Sequence, residues 1–185
     1  MAAENDGAGH EDARAAREGA LAIARRLAAA GHEAVLAGGC VRDRLLGLEP
    51  KDHDIATSAR PDEVQRLFPS TVAVGAQFGV IVVVEGGRNY EVATFRSDEG
   101  YVDGRRPTAV YFGDARKDAE RRDFTVNGLF ERPDTGEILD FVGGRADLER
   151  RTIRAIGDAR ARFTEDKLRL LRGVRFVAQL GHLGF

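Results

Sequence analysis

The chain has 185 residues, of which 43% are hydrophobic and 31% charged, with a formal net charge of −2. That apolar share excludes a wholly disordered chain and supports a packed core for one domain, or for one domain plus the start of another. The lone Cys40 excludes an internal disulfide, and the absence of a long apolar run or signal-peptide pattern points to a cytoplasmic protein without membrane contact.

Residues 1–12 (MAAENDGAGHED) are small and polar and are expected to be disordered. A helix is expected to follow through Ala30, because Leu21, Ala24, Leu27 and Ala28 recur at helical spacing and Gly31 stops it. AVLAGG reads as a short buried strand ending in two glycines, and CVRDRLLG as a helix closed by Gly47. Asp52 to Thr57 is the next predicted strand. RPDEVQRLF places Pro61 and Asp62 where a helix start favours them. STVAVG, FGVIVVVE and NYEVATFR are β-branched runs separated by glycine, the pattern of paired strands.

Residues 97–114 (SDEGYVDGRRPTAVYFGD) read as a long polar loop with a weak strand at 109–112. A helix is predicted through ARKDAERRDFTVNGLF, a hairpin through PDTGEILDFVGG, a last strand at TIRAIG and a final helix through EDKLRLLRGVRFVAQLG. The order fits an α/β or α+β sheet domain with helices on one side. Charge is unevenly spread. Residues 141–185 hold ten Arg and Lys against five Asp and Glu, a balance of +5, which leaves −7 on the first 140 residues. A basic end on an acidic body suits an anionic partner, although a solvated Arg-rich helix gives the same count.

Two motifs carry chemistry. In GGCVRD, Gly38 and Gly39 let a ligand approach the backbone at a helix start, and Arg42 adds a cation one turn on: a phosphate cradle. In KDHDIATSA, Asp52 and Asp54 would share one strand face, where like charges repel. A divalent cation such as Mg²⁺ offsets that repulsion, since it takes hard oxygen ligands and keeps room for water and substrate oxygens. His53, on the opposite face, reads as a packing residue. Glu91, on a later strand, either brings a third carboxylate to the pair or sits on the surface. A glycine pair alone more often marks a tight turn, and an isolated D-x-D is more often an exposed strand or turn; their succession points to a site.

GGCVRD, KDHDIATSA, RRDFTVN, TGEILDFVGGRADL and EDKLRLLRGVRF, in this order over residues 20 to 185, resemble the class II tRNA nucleotidyltransferase and bacterial poly(A) polymerase family. The resemblance implies a polymerase-β-like head at 13–150 and the start of a helical neck at 151–185. The body and tail of the family would follow, so the chain reads as a catalytic fragment. It further implies Mg²⁺-dependent transfer of CMP or AMP from CTP or ATP to an RNA 3′ end, most simply CCA addition to tRNA. By motif, Gly38, Gly39 and Arg42 would bind the triphosphate, Asp52 and Asp54 the metal, with Glu91 as a further catalytic carboxylate. Arg122 would meet the nucleotide, with Asp123 and Asn127 near the ribose. Asp166 and Arg169 would read the base, with Arg172 and Arg175 nearby.

An acceptor and a donor one turn apart complement the amino and ring-nitrogen edge shared by cytosine and adenine, and mismatch uracil and guanine. An amphipathic helix with Leu168, Leu171 and Val174 packing and solvated arginines is the alternative for that stretch. VGAQFGVIVV lacks the basic signature of poly(A) polymerases, which favours the CCA-adding branch, and SDEGYVDGRRP resembles the flexible loop of enzymes that add the terminal A. A poly(A) polymerase, a CC- or A-adding enzyme, and a nucleotide- or RNA-binding module without turnover are the alternatives.

Overall fold

The apolar stripe of the first helix decides where the main core forms. The computed structural model describes residues 5–101 and 107–185. In it α1 (Asn5–Ala29) buries Ala20, Ile23, Ala24 and Leu27 against the sheet. The fully buried β1 (Ala34–Ala37) leads through Gly38 into α2 (Gly39–Leu45), then β2 (Asp54–Thr57) and α3 (Pro61–Leu67), with Pro61 opening the helix. Next come β3 (Thr71–Gly75), β4 (Val80–Glu85), β5 (Arg88–Thr94), β6 (Arg96–Tyr101) and β7 (Pro107–Phe112). The rest comprises α4 (Ala115–Arg121), β8 (Leu129–Glu131), β9 (Ile138–Asp140), α5 (Gly144–Glu149), α6 (Ala159–Glu165) and α7 (Leu168–Leu180).

Seven strands form one mixed sheet in the order β3-β4-β5-β2-β1-β8-β9, in which β2 and β5 run parallel and the other neighbours antiparallel. Alternation divides its residues. Leu36, Ile55, Ile81, Val83 and Val92 face α1 and α3 in the larger core. Val35, Ala37, Ala56 and Phe130 face the other way, where α4 contributes Ala115 and Ala119. The long helix therefore covers one face, and short α4 lies on the other. That second face is only partly covered, and the site lies in the open part.

Several local expectations change. Residues 5–12 are helical, not disordered; His10 lies 3.7 Å from Glu49, and Asp12 pairs with Arg88, so ion pairs hold a segment that has little apolar surface. The strand after α2 starts at Asp54, so Asp52 precedes it. Within 97–114, expected as a long loop with a weak strand at 109–112, that strand is present and longer, as β7, and it pairs antiparallel with β6, whose polar residues have low strand propensity and take their order from the cross-strand pairing. Residues 102–106 of the stretch likened to a flexible loop lie outside the described residues.

The helix expected across 115–130 ends at Arg121, because the β-branched pair Thr125–Val126 and Asn127–Gly128 disfavour its continuation; a 3₁₀ turn at Thr125–Asn127 leads into β8. TIRAIG makes a single bridge, Phe124 to Ala155, and no strand. The final helix is α7, preceded by the separate α6. Asp166 Oδ1 accepts from the Leu168 backbone N–H at 3.0 Å, and this local bond starts the second helix.

Candidate active site

The pairing registers set up one row of side chains across the open face. Val72 lies opposite Val82, and Val82 opposite Glu91; the parallel pairing of Ile55 with Val92 brings Asp54 beside Glu91. Asp54 is opposite Ala37, and Ala37 opposite Phe130. Of this row, Asp54, Glu91 and Val82 line an open cleft of about 1150 Å³. Every residue singled out in the sequence lines that cleft: Gly38, Gly39, Arg42, Asp52, Asp54, Glu91, Arg122, Asp123, Asn127, Asp166, Arg169, Arg172 and Arg175.

Asp54 exposes an edge to the cleft. Nearby protein nevertheless withdraws water from it, and this desolvation, with Glu91 and Asp52 adding to it and Arg122 opposing it, pushes its carboxyl up to about 6. Such a site gains from a cation. Glu91 thus lies close enough to act on Asp54, yet among the described residues no three His, Cys, Asp or Glu side chains converge as a metal cluster. His53 is buried, as a packing residue is, and burial followed by Arg17 holds its imidazole below the ordinary value. Burial followed by Asp54 pushes the Cys40 thiol up to about 11, which makes it inert at neutral pH.

On one side of the carboxylates stand the cations. Gly38 caps α2 at φ 72°, and a Cβ there would come within 2.7 Å of the Arg122 guanidinium. The positive φ favours glycine there, and a side chain would also displace the Arg122 guanidinium. Arg122 stacks 5.0 Å above Phe130 and is held by Asp118 Oδ2 at 3.0 Å, while Arg121 bonds Asp118 Oδ1 at 2.8 Å. Burial alone would raise the Asp118 carboxyl; Arg122 and Arg121 outweigh it and hold it below the ordinary carboxylate range. Arg42 is buried and donates to Asn127 Oδ1 at 2.6 Å and Asp43 Oδ1 at 2.8 Å.

Asn127 then donates to Asp123 Oδ1 at 3.2 Å, and Arg172 of α7 donates to Asp123 Oδ2 at 2.6 Å. Phe176 completes the link: Arg42 and Arg172 lie over its ring at 5.3 and 5.6 Å, and Phe124 packs edge-on. Asp166 and Arg169 are not on one helix as expected. Asp166 sits at the α6–α7 junction, and Arg169, only 5% exposed, donates to Glu165 Oε2 at 3.0 Å and to the Arg162 carbonyl at 2.9 Å.

Three further residues, none of them singled out by the motifs, hold this arrangement. Asp118 precedes Arg121 and Arg122 by three and four positions, a helical spacing that signals the pairing. Glu165 stands likewise to Arg169. Phe176 carries no such signal, since an aromatic in an apolar helix pattern reads as core.

The family model described as the poly A polymerase head domain matches residues 34–154. The CCA-adding enzyme of Geobacillus thermodenitrificans (strain NG80-2) is 52% identical over 163 residues, which cover 88% of this chain and 40% of that protein. Among solved structures, the Bacillus stearothermophilus CCA-adding enzyme in complex with CTP superposes with a TM-score of 0.81 at 44% identity, covering 89% of this chain and 39% of that one. A tRNA nucleotidyltransferase complexed with a primer tRNA and an incoming ATP analog gives 0.69 at 29% identity, covering 86% and 45%. The chain thus spans about two fifths of the length of the relatives it matches.

Proposed function

The chain belongs to the poly A polymerase head-domain family, and from that premise we propose that it transfers CMP and AMP from CTP and ATP to the 3′ end of tRNA, adding CCA without a template. One observation carries the reading: a single cleft joins a cationic cradle, a carboxylate pair and an Asp–Arg pair suited to cytosine and adenine. Residues 13–150 form the catalytic head in this reading, and 151–185 begin the neck.

Arg122 and Arg42, with the Gly38–Gly39 backbone, bind the phosphates. Asp123 and Asn127 take the ribose, and Asp166 and Arg169 read the base. Asp52 and Asp54 fit a hard divalent cation, Mg²⁺, because they offer carboxylate oxygens that line the open cleft beside Glu91. When bound, that ion neutralises charge on the phosphates and activates the attacking hydroxyl. The 3′ hydroxyl oxygen bonds to the α-phosphorus, the bond to the β-phosphate bridge breaks, and pyrophosphate and a proton leave.

The test is incubation with tRNA lacking its CCA end, Mg²⁺ and labelled CTP and ATP. Incorporation that stops after CCA is expected, at less than a tenth of the wild-type rate in Asp52→Ala and Asp54→Ala, with unchanged melting temperature. A long A tail means a poly(A) polymerase. Nucleotide binding without incorporation means a binding module.

A further inference from the structure

We infer that Glu131 is a positioning residue for the triphosphate: buried behind the cleft, it tethers α2 through Arg44 and thereby sets where the Arg42 guanidinium stands. The inference rests on the nucleotidyltransferase reading of the cleft. It deepens that reading by naming a residue, outside the cleft lining and outside the motifs, on which the phosphate cradle depends.

The helix that carries Arg42 cannot orient itself. α2 has seven residues, and a helix this short is marginal in water, so its setting comes from its anchors. The segment from Asn127 to Glu131 supplies them at alternate residues. Asn127 Oδ1 accepts from Arg42 at 2.6 Å, the Leu129 carbonyl from the Gly38 N–H at 2.9 Å, and Glu131 Oε2 from Arg44 Nε at 2.9 Å. Arg42 and Arg44 are two positions apart, about 200° around the helix. Their tethers therefore pull α2 from opposite sides. Losing the one at Arg44 lets the helix roll, and Arg42 moves with it.

Stability alone gives no reason for a carboxylate at this position. The register partner of Glu131 is Leu36, so both side chains point to the face that α1 covers, and Glu131 is 1% exposed. A charge is costly to bury there unless it is paired and hydrogen-bonded. Arg17 of α1 meets that need at Oε1, 2.6 Å away, and leaves Oε2 for Arg44. Apolar residues of similar volume would join β8, α1 and α2 at least as stably. What the charged pair adds is direction, because a guanidinium on a carboxylate holds a set distance and angle, whereas apolar contacts do not. Direction is what a cradle for phosphate oxygens requires.

Glu131→Gln keeps the size of the side chain and removes its charge, and Arg44→Leu cuts the tether but leaves Arg17 on Glu131. The Arg17 and Arg44 side chains are 30% and 38% exposed, so a guanidinium that loses its partner can turn to water and both variants should fold. They are assayed well below their melting temperatures, with tRNA lacking its CCA end for CTP and tRNA ending in CC for ATP. Both should raise the KM for CTP and for ATP alike, by about five- to tenfold, as expected when one charge-assisted contact is misaligned. The KM for RNA should stay within twofold, and the ratios of kcat/KM among the four triphosphates should hold. Arg17→Leu loses an ion pair of the same kind but not the tether, and should keep both nucleotide KM values within twofold. A purely structural role would lower the melting temperature of all three variants and move no KM. Unchanged nucleotide KM values in Arg44→Leu, or an equal rise in Arg17→Leu, overturn the inference, whether or not Glu131→Gln folds. Calorimetry of CTP binding, which needs no RNA, should show the same loss in Arg44→Leu. The two readings fail separately, because wild-type transfer with unchanged CTP affinity in Arg44→Leu removes the tether alone, and weakened CTP affinity in Arg44→Leu without any wild-type transfer removes the proposed reaction alone.

Discussion

Asp166 carries two duties that substitution can separate. Its Oδ1 starts α7 by accepting from Leu168, and its carboxylate is proposed to accept from the amino group of C or A. Asp166→Asn keeps an oxygen for the helix and presents an N–H₂ donor beside it. Use of UTP and GTP should rise relative to CTP and ATP, a change in discrimination of roughly 1–3 kcal/mol. The ratios of kcat/KM among the four triphosphates measure it, and unchanged ratios place base selection elsewhere. Phe176 is the shared platform for Arg42 and Arg172. Phe176→Leu keeps apolar packing but removes the ring face, worth about 0.5–2 kcal/mol per cation. CTP affinity should fall about three- to tenfold while the melting temperature moves by only a few degrees, as calorimetry of binding and of unfolding would show.

At the scale of elements, α4 is joined to the site through one buried carboxylate. Asp118 is 1% exposed and carries both Arg121 and Arg122. Its folded-state pKa lies below the ordinary 3.8, so the stabilisation is full above about pH 4 and is lost as pH falls through the lower folded value. Asp118→Asn should cost about 3–5 kcal/mol at pH 7, because two guanidiniums lose their buried partner. The gap to wild type should close in strong acid, where the native carboxyl is also protonated. Denaturation at pH 7 and at successively lower pH checks this; a loss that does not shrink as acid is added would mean that packing, not charge, joins α4 to the site. α6 is fastened to the end of the same helix, with Arg162 donating to the carbonyls of Arg121 and Arg122. Loosening α4 should therefore also weaken nucleotide binding.

At the scale of the whole molecule the charge asymmetry bears on the proposed RNA partner. Residues 141–185 carry +5 against −7 on the remainder, so contacts to an RNA backbone are predicted to concentrate at the α5–α7 end. Each phosphate contact to a single strand contributes a slope of about −0.7 in log affinity against log salt. Three or so such contacts predict a loss of roughly twentyfold between 50 and 200 mM salt. Filter binding across that range tests it, and an affinity indifferent to salt would put the RNA surface on uncharged parts of the protein. Among the described residues no helix is long and apolar enough to cross a membrane.

What the sequence by itself determined is what depends on near neighbours. The Gly38 turn, the Pro61 helix start, the β3–β5 strands and the acid–base character of Asp52, Asp54, Asp166 and Arg169 follow from backbone preference and side-chain chemistry over a few positions. Even there, polar strands such as β6 and the break at Asp166 were misread, because their order comes from pairing and from one local hydrogen bond. Only the tertiary structure decided which side chains share a face. It placed β2 between β1 and β5, which sets Asp54 beside Glu91, and it closed the ion pair from Arg172 to Asp123 across 49 residues. Those outcomes depend on how whole faces bury apolar area against one another, a sum over many distant contacts that no short window of sequence contains.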